Sequence, residues 1–131
     1  MLNNSKYVPY MQSKSLEERK QESERMVSKY YDRVPIIVEK SQSKSNTLPD
    51  IDKHKYLVPK DLSIGQFVHV IRKRIKLDPA QALFIFVNKN IVPPATAFVS
   101  TIYDDYKSED GFLYITYTTE STFGYSFESL F

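Results

Sequence analysis

The sequence predicts an α+β fold in which a mixed four-stranded sheet wraps around one main helix. Three observations support this prediction. The chain has four short segments rich in β-branched and aromatic residues, a strongly amphipathic helix pattern between the second and the third, and another helix pattern before the first. Two strands before the main helix and two after it are the order of a β-grasp, here with additional N-terminal helices.

The N-terminal part is predicted to be a flexible arm followed by a helix. Residues 1–14 are polar apart from a short apolar run at 7–11, so we expect a loosely attached arm. The helix begins after Ser15, because Ser15 and Glu18 have the spacing of a capping box. It carries a narrow apolar stripe at helical spacing, formed by Met26, Val27, Tyr30 and Tyr31.

Two predicted strands follow this helix. Residues 34–39 are rich in β-branched side chains and form the first strand. Residues 41–47 are polar and have no period, which indicates a loop. Residues 56–58 form the second strand, which ends at Pro59 because proline cannot donate a hydrogen bond to a neighbouring strand.

The main helix has the clearest signals in the chain. Ser63 and Gln66 repeat the capping-box spacing at its start. One face is apolar at helical spacing and should face the core: Ile64, Phe67, Val68, Ile71 and Ile75. His69 lies between this face and the basic residues that follow, where we expect a partly buried structural histidine.

The C-terminal half supplies the other two strands and a short helix. Residues 83–87 are too short for a helix and rich in strand formers, which favours a buried central strand. Thr96 can cap a short helix whose inward side chains are Phe98, Val99, Ile102 and Tyr103. Asp110-Gly111 marks a turn, and residues 112–118 form the last strand.

The composition excludes several classes of function. The 131 residues include no cysteine and two histidines, so thiolate chemistry is absent and a histidine-based metal cage is not expected. We find no paired catalytic carboxylates, glycine-rich phosphate loop or nucleophile elbow, and expect neither an enzyme nor a cofactor. The longest apolar run has five residues, whereas a membrane span needs about twenty. No secretory signal is visible at the N-terminus, so we expect a cytoplasmic protein.

The charge is small in sum but unevenly distributed. The net charge is +2, with six basic and two acidic residues in 60–89 and one basic against six acidic residues in 104–131. This uneven distribution of charge could steer an acidic partner towards the basic segment. A solvated basic helix face explains the same distribution without a partner. Nucleic acid is not an expected partner, because the charge is low and no nucleic-acid-binding motif appears.

A series of short runs, in order along the chain, carries a strong resemblance to one family: residues 33–35, 38–40, 55–62, 64–67, 71–75, 84–88, 92–94, 112–117 and 120–124. They resemble the autophagy ubiquitin-like modifiers, which include the GABA-receptor-associated protein and microtubule-associated protein light chain three. The resemblance runs from about Ser15 to Gly124, with an apparent short insertion between Lys40 and Asp52. It implies a ubiquitin-like domain over residues 15–124, after the arm at 1–14.

The resemblance also implies a processing and conjugation pathway. A cysteine protease would cut between Gly124 and Tyr125 and remove residues 125–131 as a propeptide. Activating and conjugating enzymes would then carry Gly124 as a thioester and join it to phosphatidylethanolamine. Glycine suits this chemistry, because without a Cβ it can enter a narrow active site with its carbonyl accessible. The lipid would hold the protein on autophagosome membranes, with the vacuole or lysosome as end point.

The same resemblance implies a groove for cargo-receptor motifs of the aromatic-x-x-aliphatic kind, paired with the edge of the second strand. A first pocket would bind the aromatic residue and consist of Glu22, Met26, Pro35, Lys55, Leu57 and Phe112. A second pocket would bind the aliphatic residue and consist of Tyr56, Val58, Pro59, Leu62, Phe67 and Val70. Arg33 and Arg74 would pair with acidic residues that flank such motifs. Plain core packing also explains Pro35, Phe67 and Phe112.

Two other functions remain open at this stage. The chain could be an unconjugated adaptor that binds peptide motifs while its tail stays attached. It could also be a trafficking or cytoskeletal factor whose helix at 15–31 binds acidic tubulin surfaces. A mass measurement separates conjugation from the adaptor role, because only conjugation removes residues 125–131 and adds a lipid.

Overall fold

A computed structural model describes residues 7–42 and 47–119 of the chain. One four-stranded sheet consists of β1 (Arg33–Lys40), β2 (Lys55–Pro59), β3 (Phe84–Val87) and β4 (Leu113–Thr118). Four helices accompany it: α1 (Tyr10–Ser13), α2 (Leu16–Lys29), α3 (Ile64–Arg74) and α4 (Val99–Tyr106). The strand order is β2-β1-β4-β3, with β1 and β4 parallel and the outer pairs antiparallel. The predicted mixed sheet is therefore confirmed.

The main core lies between α3 and one face of the sheet. Both halves of the predicted capping box are present, since the Ser63 hydroxyl accepts from the Gln66 amide and the Gln66 side chain accepts from the Ser63 amide. Four of the five predicted stripe residues are buried: Ile64, Phe67, Ile71 and Ile75. They pack against side chains from β1, β2 and β4. The fifth, Val68, is half-buried, and His69 is exposed, so the expected partial burial of His69 is wrong.

The third strand is an edge strand, whereas the sequence predicted a central one. Among the described residues β3 pairs only with β4, and Phe84 is 37% exposed. The other three residues of β3 are buried. Because helix and loop packing can bury an outer strand on both faces, a short apolar run shows burial without showing the position in a sheet.

The short helix α4 begins later than expected. Its N-cap is Phe98, which has extended dihedral angles and gives no side-chain cap, so the prediction that Thr96 caps the helix is wrong. Phe98 is 54% exposed and not inward. The reason is that its backbone is bridged to Ser63, and this extended bridge places Val99 and Ile102 on the buried side instead.

The second helix is attached to the sheet by polar contacts. Its predicted apolar stripe is wrong in three of four residues, because Val27, Tyr30 and Tyr31 are exposed. A buried ion pair joins the Arg19 guanidinium to Asp110, with 2.6 Å between Nη1 and Oδ2. Asp110 is fully buried and also accepts a hydrogen bond from the Tyr114 hydroxyl.

The turn after Asp110 fits closely against the same helix. The Ser23 hydroxyl donates to the Asp110 carbonyl at 2.6 Å. Gly111 has a φ of +88°, and a Cβ there would lie 2.4 Å from the Ser23 oxygen. The predicted Asp110-Gly111 turn is confirmed, and this position requires glycine for both its backbone angle and its contact.

The described part of the N-terminal arm packs on the second face of the sheet. Tyr10 is buried with Ile37, Phe112 and Tyr114 in a small cluster. The Glu39 carboxylate accepts hydrogen bonds from the Tyr10 amide at 2.8 Å and the Tyr7 hydroxyl at 2.7 Å. Residues 7–13 therefore differ from the predicted flexible arm, because the buried aromatic ring and two bonds to one carboxylate hold them to the domain.

We expect Arg19→Met to lower the free energy of unfolding by about 3 kcal/mol, because it leaves Asp110 buried without its cation. Arg25→Met is the matched control, since Arg25 is exposed on the same helix. Urea unfolding at pH 7 measures both. Equal unfolding midpoints for the two variants would contradict a structural role for the Arg19–Asp110 pair.

Candidate peptide-docking groove

The candidate groove lies along the outer edge of β2. Within the described residues β2 pairs with β1 alone, so its other edge can accept an extended peptide strand. Burial alternates along it, since Tyr56 and Val58 are buried while Lys55, Leu57 and Pro59 are half-buried. Successive side chains of a strand point to opposite faces. Tyr56 and Val58 join the core under α3, so Lys55 and Leu57 face the side covered by α2.

The residues predicted for the first pocket meet on the α2 side. Glu22 of α2 accepts a close hydrogen bond from the Lys55 ammonium of β2. Leu57 lies opposite Pro35 in the register of β1 and β2. Met26 is half-buried and packs against the cluster that contains Phe112. Since Phe112 and Pro35 are buried, they form the floor, while Glu22, Lys55 and Leu57 provide the accessible part.

Tyr10 is a residue of this pocket that the sequence did not reveal. Its hydroxyl donates to the Glu22 carboxylate, and its ring meets Phe112 edge-on with 5.3 Å between centroids. The Lys55 ammonium lies 5.5 Å from the centroid of the same ring. The apolar run at 7–11 was visible in the sequence, but no spacing rule relates residue 10 to residues 55 and 112.

Five of the six residues predicted for the second pocket lie on the α3 side, whereas Pro59 alternates onto the same face of β2 as Lys55 and Leu57. Tyr56 and Phe67 pack edge-to-face with 5.7 Å between centroids, and Phe67 and Val58 are buried. Leu62 and Pro59 are half-buried, and Val70 is 37% exposed. The buried three therefore form a core floor, and the other three form the surface that a ligand could reach.

The two predicted recognition arginines already have partners. The Arg33 guanidinium donates to the Leu57 carbonyl at 3.3 Å, and the Arg74 guanidinium lies 3.1 Å from the Asp52 carboxylate. Both arginines flank β2, at opposite ends of the strand. A cation at each end suits a peptide with acidic residues beside its anchors.

The charge on Glu22 is stabilised by its surroundings. Burial raises the pKa of this carboxyl, but hydrogen bonds from Lys55 and Tyr10 outweigh burial and hold the pKa below 4.5. Burial and the neighbouring Glu22 carboxylate raise the pKa of Tyr10, so its hydroxyl stays protonated and donates. The first pocket therefore combines an apolar floor with an ionised rim.

The predicted conjugation residue, Gly124, and the scissile bond to Tyr125 lie outside the described residues. Within residues 7–42 and 47–119, no helix is long and apolar enough to cross a membrane. The same ranges contain no cluster of acidic or histidine side chains suited to a metal ion.

The mixed four-stranded sheet packed on one main helix places this chain in the ubiquitin-like class of protein. The sequence matches the family described as "Autophagy protein Atg8 ubiquitin like" over residues 18–124. It is 58% identical to Autophagy-related protein 8B of Oryza sativa subsp. indica over 110 residues, which cover 84% of this chain and 90% of the relative. It is 59% identical to Autophagy-related protein 8 of Schizosaccharomyces pombe over 110 residues, covering 84% and 88%.

Solved structures of Atg8 proteins resemble this chain in both sequence and fold. The crystal structure of Trypanosoma brucei ATG8 is 42% identical with a TM-score of 0.80, covering 91% of this chain and all of that one. Plasmodium falciparum Atg8 in complex with a Plasmodium falciparum Atg3 peptide is 32% identical with a TM-score of 0.79, covering 88% and 98%. This chain belongs to the Atg8 family. The predicted resemblance and fold are confirmed, and the chain is a ubiquitin-like modifier of autophagy.

We expect the contribution of Glu22 to stability to depend on pH in one direction. Because its pKa is lowered on folding, the contribution is present above about pH 4.5 and is lost as the pH falls through the lower folded pKa. The difference in free energy of unfolding between wild type and Glu22→Gln should therefore shrink below pH 4.5. Glu24→Gln, at an exposed position of the same helix, is the control. A difference for Glu22→Gln that is the same at pH 7 and pH 3 would contradict this assignment.

Proposed function

We propose that a cysteine protease trims this chain after Gly124, and that activating and conjugating enzymes then join Gly124 to phosphatidylethanolamine. The match to the Atg8 family over residues 18–124, which extends to this glycine, is the observation that carries the proposal. The chain acts as the modifier, and the partner enzymes supply the catalytic cysteines that it lacks. The Atg3 peptide bound to the Plasmodium falciparum relative supports a conjugating-enzyme partner.

The position of Gly124 suits its transfer between enzymes. Gly124 is six residues beyond Thr118, where β4 ends, and six extended residues span at most about 20 Å. This length allows the glycine to reach an active site while the folded domain stays outside. Glycine also leaves its carbonyl free of a side chain, which favours attack by a thiolate or an amine in a narrow channel.

The attached lipid would place the protein on autophagosome membranes. Two acyl chains on one headgroup hold a soluble domain stably, whereas a single chain binds only reversibly. Before conjugation the protein would be cytoplasmic, and it would reach the vacuole or lysosome with the autophagosome contents. On the membrane, the groove would recruit cargo receptors.

The groove would bind aromatic-x-x-aliphatic motifs by strand addition to β2. The peptide backbone would pair with the free edge, while the anchors occupy the two pockets on opposite faces of the strand. Each buried anchor contributes about 1.5–3 kcal/mol. Since association itself is costly, we expect micromolar affinity, about −8 kcal/mol.

For the groove, we expect Leu57→Ala to weaken a Trp-x-x-Leu peptide by about 1–2 kcal/mol, because it removes part of the accessible wall of the first pocket. Val92→Ala is the control, since Val92 is 61% exposed and lies outside the groove. Calorimetry measures the affinities, and circular dichroism verifies the fold. Unchanged affinity for Leu57→Ala would contradict the proposed groove.

For conjugation, we expect Gly124→Ala to stay folded and bind motif peptides, but to keep its tail and remain diffuse in the cytosol. The added methyl group would stand at the scissile carbonyl, where a displacement of about 1 Å can cost on the order of a hundredfold in rate. Intact mass, lipid-dependent gel mobility and puncta in starved cells measure these outcomes.

A truncation ending at Gly124 is the matched control for this experiment. It needs no protease and should still become lipid-linked. If Gly124→Ala forms lipid-linked puncta as well as wild type does, Gly124 is not the conjugation residue. If the wild type binds motif peptides but never loses residues 125–131, the unconjugated adaptor is the better description.

A further inference from the structure

A cavity of about 840 Å³ lies between the N-terminal arm and the loop that joins β1 to β2. Its arm wall consists of residues 7–9 and Gln12, and its loop wall consists of residues 40–42, residues 50–51 and His54. Sites that bind ligands in proteins usually have volumes of about 300–1,000 Å³. The cavity is therefore large enough to hold several side chains of a peptide.

The loop wall is fixed to the domain. Leu48 and Ile51 are buried in the main core. The Lys40 ammonium donates to the Leu48 carbonyl at 2.8 Å, and the Tyr117 hydroxyl donates to the Pro49 carbonyl at 2.7 Å. Because these contacts hold the loop against the sheet, this wall is a preformed surface.

The arm wall is apolar and partly accessible. The Tyr7 ring stacks on the His54 ring with 4.0 Å between centroids, which joins the arm wall to the loop wall. Tyr7 is 39% exposed and Val8 is 54% exposed, whereas the neighbouring Tyr10 is buried and holds the arm in place. Exposed apolar side chains that lie together at a concave site favour a ligand with apolar side chains.

The C-terminal segment of the chain leaves the sheet beside this cavity. Strand β4 ends at Thr118, and the Ser41 amide donates to the Tyr117 carbonyl at 2.9 Å. Ser41 itself lines the cavity. Tyr125 is seven residues beyond Thr118, and seven extended residues span at most about 23 Å. The tail, residues 125–131, is therefore long enough to reach the cavity.

The tail has the composition that such a cavity favours. It carries one charged residue, Glu128, and four large apolar ones: Tyr125, Phe127, Leu130 and Phe131. Because the tail is attached to the domain by a short segment, its effective concentration at the cavity is on the order of millimolar. An affinity that is too weak for a separate peptide is therefore sufficient to hold the tail in place.

We propose that the tail docks in this cavity in the untrimmed chain, with its apolar side chains against Tyr7 and Val8. A docked tail keeps the bond between Gly124 and Tyr125 close to the domain. A protease then cuts only those molecules in which the tail has left the cavity, so the cavity slows removal of the tail. This consequence rests on the proposed trimming after Gly124, whereas the docking itself does not.

Limited proteolysis of the purified full chain by chymotrypsin measures the docking, because this protease cuts after aromatic residues such as Phe127. Val8→Asp places a charge on the arm wall and should raise the initial rate of cutting after Phe127 about three- to tenfold. Met11→Asp is the matched control, since Met11 is 44% exposed on the same arm and is not among the residues that line the cavity. Intact mass follows the cutting.

A spin label reports where the tail lies. The chain has no cysteine, so Ser129→Cys provides a single position for a nitroxide. Docking should strongly broaden the amide signals of Val8 and Ile51, and much less that of Lys60, which follows the far end of β2. A tail of equal length with serine in place of Phe127, Leu130 and Phe131 should lose the broadening at Val8 and Ile51.

The outcomes separate docking of the tail from its removal. Equal rates of cutting for Val8→Asp and Met11→Asp would overturn the docking, even if the chain is trimmed after Gly124 in cells. Broadening that persists with the serine tail would overturn it as well, because tail length alone would then bring the label to the cavity. A docked tail that is never removed in starved cells would overturn the proposed trimming and leave the docking intact.

Discussion

The structure depends on burying β1 on both of its faces. Residues 34–38 are consecutive buried positions. Val34, Ile36 and Val38 pack into the large core, and Ile37 packs into the small cluster on the other face. A strand buried on two sides needs a layer on each of them. Helix α3 supplies one layer, while α2 and the segment around Tyr10 supply the other. Because β2 is the edge neighbour of β1, both layers reach it, and its alternate side chains enter two different environments.

The two layers differ in their chemistry. Helix α3 packs with an apolar face, whereas α2 is held by Arg19 and Ser23 against the buried Asp110 turn and by Glu22 against Lys55 and Tyr10. Polar contacts of this kind demand correct geometry, because an unpaired buried charge is costly. The first pocket consequently has an ionised rim, and the second has an apolar one. A motif with an aromatic and an aliphatic anchor matches this difference.

Three cations around β2 are engaged within the chain. Lys55 pairs with Glu22, Arg74 with Asp52, and Arg33 with the Leu57 carbonyl. These internal partners neutralise part of the positive charge beside the free edge of β2.

The elements with strong local signals could be predicted from the sequence. Both capping boxes, the apolar face of α3 and the Asp110-Gly111 turn were predictable, because each depends on residues a few positions apart. The match of residues 33–40 and 55–75 to one family also pointed to the groove before its geometry was known.

Tertiary structure alone decided which surfaces meet. It put β3 at an edge, exposed most of the predicted stripe of α2, and turned Phe98 outward because its backbone is bridged to Ser63. It also brought Tyr10 to Phe112 and Asp52 to Arg74, across separations that carry no periodic signal. Local sequence patterns indicate whether a side chain must be buried or must have a hydrogen-bonding or charged partner. The folded topology decides which distant residue satisfies that need, because only it sets the distances between elements.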